Sequence, residues 1–245
     1  MDTCVFCGRQ GDDFDPEHWV PEWLNRKLFP EYGTGVRHNL PDKSWDADAF
    51  ELTCEHVCTD CNRHFLSNIE SKAARFVFPL VMGTPNKETI SADGLRHVAR
   101  WGYLKTISLE LTRPPDHVPT HDVSVYENFR RTKWPPLPGC SLALGVRDIG
   151  PEEHQPVFLW FQSQGGHSYT GSPPHSEFTT EGYRTTLLVG HVVFDVIGLR
   201  DPGELPPDIH GDAYVPLWPD PAARGGRFTW PPRRRFRWRE GLELD

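Results

Sequence analysis

Cys58-Thr59-Asp60-Cys61-Asn62 is the stretch on which the fold turns: two thiols separated by two residues, with an amide side chain directly after the second. Its counterpart is Cys4-Val5-Phe6-Cys7-Gly8 at the start of the chain. A Cys-x-x-Cys turn offers two sulfurs to one ion, and zinc takes four ligands in a tetrahedron. Cys4, Cys7, Cys58 and Cys61 are therefore read as one structural zinc site. Gly8 suits a turn in which the backbone passes close to the metal. The two knuckles lie much further apart than in a simple zinc ribbon, so a folded element must be inserted between them. A redox role for the pairs is disfavoured because neither opens a helix inside a βαβ unit. Cys54 either replaces one ligand or sits in a strand beside the clamp; two matched turns make the better clamp, so the strand position is favoured. Cys140 stands alone and reads as a buried apolar residue.

Between the knuckles lies Asp15-Pro16-Glu17-His18-Trp19-Val20-Pro21-Glu22-Trp23-Leu24, and Asn62 follows the last thiol. Phe50 to Val57 has partial strand alternation. From Asn62 onward Phe65, Leu66, Ile69, Ala73, Phe76 and Val77 recur at spacings of three and four, which predicts a helix with one apolar stripe, ended by Gly83-Thr84-Pro85. A second helix opens at Ser91 and stops at Arg113-Pro114-Pro115. Taken alone, Glu17-His18 is a common surface pair and Asn62 a strong helix cap.

The order Cys-x-x-Cys, Glu-His, Cys-x-x-Cys-Asn resembles the HNH nucleases, whose fold is the ββα-metal module. The likeness is carried by Cys4, Cys7, Glu17, His18, Val20, Pro21, Cys58, Cys61 and Asn62, over roughly the first third of the chain. It is closest to a bacterial subgroup with Glu-His-x-x-Pro-x-Trp-Leu and a later Cys-Asn helix bearing Ser and Glu, here Ser67 and Glu70. The resemblance implies a metal-dependent endonuclease that hydrolyses phosphodiester bonds in nucleic acid, with DNA as the target. His18 takes the role of general base, and Glu17 and Asn62 hold a catalytic Mg²⁺ or Mn²⁺ at the helix N-terminus. If Glu17 and His18 lie on an extended segment, a bulge or turn must bring both to the phosphate, because neighbours on a strand face opposite ways. The chain departs from the family before the second knuckle, where an Asn ordinarily orients the catalytic His. Asn39, Glu55 and His56 are the substitutes within reach. This departure supports the alternative of a non-catalytic zinc-knuckle module, a degenerate nuclease that binds nucleic acid or protein.

Beyond residue 121 short apolar runs are separated by Pro and Gly: Ser141 to Val146, Pro156 to Gln162 and Tyr183 to Ile197, all read as β-strands. The expected fold is α+β, with a zinc-stapled ββα module plus helices over 1–85, a helical connector over 86–120, and a mainly antiparallel β accessory domain over 121–245 with an irregular Trp/Pro/Arg-rich tail. Arg96, Arg100 and Lys105 are a possible basic patch on the second helix, with a solvated face as the plainer reading. Arg233 to Arg239, interleaved with Phe236 and Trp238, could track a phosphate backbone. An edge strand with Arg outside and aromatics inside is favoured. No catalytic signature stands out in the accessory region. The net charge of −8 argues against a protein that coats nucleic acid through overall charge and leaves room for a local basic stripe. There is no run of 18 apolar residues, so no membrane association is expected. Met1-Asp2-Thr3-Cys4 lacks a basic and apolar leader, and the expected location is cytoplasmic.

Overall fold

The structure, a computed structural model, describes residues 2–15, 17–26, 35–40, 43–48, 52–54, 56–87, 89–112, 121–135, 139–149, 159–170, 179–199, 210–219, 230–232, 234–238 and 242–244. It is α+β, as the sequence implies. The first knuckle is framed by an antiparallel ribbon, β1 (Asp2–Thr3) with β2 (Gln10–Gly11). The turn closes through the Gly8 N–H, which donates to the Cys4 carbonyl at 2.8 Å. Gly8 has φ +68°, a conformation in which side chains are strained.

The inserted element predicted between the knuckles is present. β3 (Glu17–His18) leads to a helical turn over 22–26, a hairpin of β4 (Gly35–Leu40) and β5 (Lys43–Asp48), and β6 (Thr53–Cys54). β6 is much shorter than the 50–57 run suggested, and it pairs antiparallel with β3, Glu17 opposite Cys54 and His18 opposite Thr53. A bridge between Phe14 and Cys58 ties the second knuckle to the same segment. The chain then enters a π-helical stretch, Cys61–Leu66, which continues as α1 (Ser67–Val81). The predicted stripe is buried: Leu66, Ile69, Ala73, Phe76 and Val77, joined by Leu80 and Val81.

α2 (Ala92–Ser108) starts at Ser91, whose hydroxyl accepts from the Gly94 N–H at 3.1 Å. It packs against α1 on one side and the large sheet on the other. The sheet approaches so closely at Gly102 that a Cβ there would lie 2.4 Å from the Phe194 ring. Where β texture was expected from residue 123, the chain instead forms α3 (Val123–Thr132), capped by Asp122 and ended by Lys133 at φ +60°. The β-branched Val123 and Val125 hid the helical pair Tyr126 and Phe129, both buried three residues apart.

The accessory strands form one antiparallel sheet in the order β11-β7-β10-β9-β8: β7 (Cys140–Val146), β8 (Leu159–Thr170), β9 (Thr179–Val189), β10 (Val192–Leu199) and β11 (Tyr214–Trp218). The run from Tyr183 to Ile197, read as one strand, is a hairpin that turns at Gly190 and His191. Gly190 has φ +57°, and a Cβ there would lie 2.4 Å from the Val81 carbonyl. The His191 N–H donates to that carbonyl at 3.0 Å, so the hairpin tip docks on the end of α1.

The inner face of the sheet, with Leu142, Leu144, Leu187, Phe194 and Val196, belongs to the same core as Cys4, Phe76 and Trp101. The outer face carries a small second cluster of Leu188, Val193, Ala213 and Phe236. In the tail, β12 (Phe236–Trp238) pairs with β13 (Leu242–Leu244). Phe236 is buried, and Arg234 and Arg235 just before the strand are exposed; the side chains of Arg237 and Trp238, on which the expected alternation rests, lie outside the described residues. No helix among the described residues is long and apolar enough to cross a membrane.

Candidate metal centre and the strand beside it

The Sγ atoms of Cys4, Cys7, Cys58 and Cys61 all lie within 4.8 Å of one another, as the matched spacing requires. Tetrahedral zinc with Zn–S bonds near 2.3 Å places its sulfurs about 3.8 Å apart. The Cys7 and Cys58 sulfurs stand at 3.7 Å. Cys4, Cys58 and Cys61 are buried and Cys7 half-buried. A hydrogen bond from the Cys61 thiol outweighs burial and holds the Cys4 thiol down at about 4, so the cluster already favours a thiolate. A set of four sulfurs so disposed can hold a tetrahedral ion such as zinc. Cys54 is not part of it. Buried in β6, its thiol donates to the Ser108 carbonyl at 3.5 Å, and burial pushes it up to about 12.

Sequence reasoning missed the cation beside this cluster. Arg130, on α3, faces the Cys61 thiol and lies 3.8 Å from Asp60. A four-thiolate zinc site carries an excess of two negative charges, and a guanidinium against one sulfur offsets part of that. Phe6 of the first knuckle meets Phe65 and Tyr126 edge-on, which places α3 on the clamp. The signal was hidden with α3 itself.

Glu17 and His18 have opposite environments. β3 pairs in regular register with no bulge, so the two side chains leave on opposite faces. His18 is exposed. Glu17 turns inward, its side chain 14% exposed, with Oε1 3.9 Å from the Lys105 Nζ. Lys105 is itself 3% exposed and forms a close ion pair with Glu70. Lys105 belongs neither to a basic patch on α2 nor to a solvated face, because the core has drawn it inward between two carboxylates. Arg100 is also engaged, its guanidinium 3.9 Å above the Trp134 ring. Burial, opposed by Lys105 and reinforced by Glu70 and Asp15, raises Glu17 to about 7. Near neutrality Glu17 is therefore poised between its protonated and ionised forms, beside the Lys105–Glu70 pair.

Asn62 is half-buried, and its Nδ2 donates to the Asp15 carbonyl at 3.1 Å. It does not cap the helix, which has already begun at residue 59. Arg63 clasps the Asp15 carboxylate at 3.1 and 3.2 Å. Together these contacts hold the knuckle helix against the segment that becomes β3. Asn62 thus acts three residues ahead of His18, and no described contact joins it to Glu17. Of the substitutes for the middle Asn, Asn39 lies in β4 opposite Ser44, His56 is exposed in the bend before the second knuckle, and Glu55 lies outside the described residues.

Compared with protein-family models, with curated proteins and with solved structures, the chain matches none.

Proposed function

We propose that the chain is a zinc-stapled, metal-dependent endonuclease of the HNH type, acting on nucleic acid, with DNA as the target. The observation that carries this reading is the order of elements around the clamp. Two paired strands, β3 and β6, lead into a helix that starts at the second knuckle, and the strand presents His18 to solvent. In this reading the exposed imidazole accepts the proton of the attacking water. Asn62 offers an amide oxygen one turn into the knuckle helix, near the end whose dipole favours phosphate. A bound Mg²⁺ or Mn²⁺ would neutralise charge on the scissile phosphate. Glu17 fits that ion only if its carboxylate exchanges the Lys105 ammonium for it. The ion in the cysteine cluster is zinc, which thiolates favour. The compartment is the cytosol, where the thiols stay reduced.

A second reading is a non-catalytic zinc-knuckle binding module. The Lys105 ammonium favours it, because it stands between Glu17 and Glu70, where a divalent cation would otherwise balance two carboxylates. Incubation of the purified protein with plasmid and Mg²⁺ or Mn²⁺, beside His18→Ala, separates the two. Cutting by the wild type and not by the variant is expected. An active His18→Ala would remove the base assignment, and no cutting with either metal would select the binding module.

A further inference from the structure

The outer face of the large sheet carries a polar constellation that the clamp and β3 do not use. Registers across β7, β10 and β9 put Ser141, Asp195, Arg184 and Thr186 on one face: Ser141 opposite Ile197, Ile197 opposite Arg184, Asp195 opposite Thr186. His210, from the segment just before β11, reaches over them. Its Nδ1 lies 2.7 Å from the Asp195 Oδ2, and its Nε2 lies 2.9 Å from the Ser141 Oγ. Asp195 is fully buried, with Arg184 donating to it at 2.9 and 2.8 Å and Thr186 at 3.2 Å. The order is hydroxyl, imidazole, buried carboxylate, each within hydrogen-bond reach of the next.

We propose that Ser141, His210 and Asp195 form a nucleophile relay for acyl transfer, acting on carboxylic esters. A buried carboxylate needs compensation, and Arg184 with Thr186 already supplies it. What that pair does not require is an imidazole bridging the carboxylate to a serine hydroxyl, the arrangement that activates an oxygen nucleophile. The Ser141 Oγ also lies 3.1 Å from the Trp218 carbonyl. With both imidazole nitrogens protonated, Ser141 donates to Trp218. With Nε2 free, the hydroxyl proton turns to it, and that is the reactive arrangement. The ring of Tyr214, 5.9 Å from His210, flanks the site and suits an apolar acyl group.

In the first half-reaction the Ser141 Oγ bonds to the ester carbonyl carbon and its proton passes to His210 Nε2. The ester C–O bond breaks, and the departing alkoxide takes that proton as an alcohol. In the second, water attacks the acyl carbon and gives its proton to His210. The C–Oγ bond then breaks, Ser141 regains the proton, and a carboxylic acid leaves. Asp195 acts through His210 as a positioning residue that keeps the Nδ1–H inward.

The full chain is treated with a fluorophosphonate probe and the adduct mapped by peptide mass spectrometry. A p-nitrophenyl acetate assay beside it measures the burst of p-nitrophenolate. Stoichiometric labelling of Ser141 and a burst approaching one equivalent are expected. Ser141→Ala should lose both. His210→Ala should label about 100-fold more slowly, the scale of a lost general base. Asp195→Asn should slow labelling and displace its pH profile, whereas a merely structural role would lower the melting temperature and leave the profile in place. His18→Ala should label like the wild type, which separates this site from the nuclease reading. A folded wild type with no Ser141 adduct, or a folded His210→Ala labelled at the wild-type rate, would overturn the proposal.

Discussion

His18 and Glu17 share a two-residue strand, but their different surroundings give them different tests. His18 is solvent-exposed, so His18→Ala should leave thermal stability within about 0.5 kcal/mol of the wild type while cutting falls by roughly 10²–10⁴. Melting curves and plasmid assays on one preparation check both. Glu17 is a matter of linkage. Its carboxyl titrates near 4.5 in an unfolded chain and at about 7 in the fold, chiefly because burial disfavours the anion. The folded state therefore holds the extra proton between those values. Glu17's contribution to stability is greatest at the acid end of that window and is lost as pH rises from about 4.5 to 7. Glu17→Gln removes the titration. Relative to the wild type, the variant should gain melting temperature from pH 5 to pH 8. A constant difference across that range would mean that Glu17 is not buried as described.

At the scale of elements, the clamp and α1 could be read directly because their signals are local: ligand spacing in Cys4-x-x-Cys7 and Cys58-x-x-Cys61, and a helical stripe from Leu66 to Val77. What stayed hidden depended on partners distant in sequence. Leu187 to Val189 and Val192 to Phe194 are apolar at successive positions because that end of the hairpin is covered on one side by α2 and on the other by the small outer cluster, so periodicity gave no sign of the turn at Gly190. Lys105 looks like a surface cation until Glu70 and Glu17 are brought to it by the α1–α2 and β3 packing. The Ser141–His210–Asp195 array draws on three segments with no common motif. The α2–sheet contact gives an element-level test. Gly102→Ala places a methyl group 2.4 Å from the Phe194 ring, inside the shared core. A loss of about 1–3 kcal/mol is expected from overpacking, measured by urea unfolding; an unchanged midpoint would show that α2 and β10 are not in close contact.

For the molecule as a whole, one continuous core runs from Cys4 through Trp101 to Leu217, so the clamp is built into the packing of α1, α2, α3 and the sheet. A structural zinc contributes folding free energy outright. Cys58→Ser should therefore lose metal, cooperative melting and any activity together. Cys54→Ala removes a thiol that lies in the strand and should keep one zinc per chain, as metal analysis of the two variants would show. In the proposed reading, whatever chemistry the β3 edge performs depends on an ion in the cysteine cluster holding the two knuckles together. The most direct test is zinc-edge X-ray absorption on the purified protein: four sulfur ligands at about 2.3 Å are expected, whereas a protein that folds without metal, or a bound ion with mixed nitrogen and oxygen ligands, would contradict the clamp.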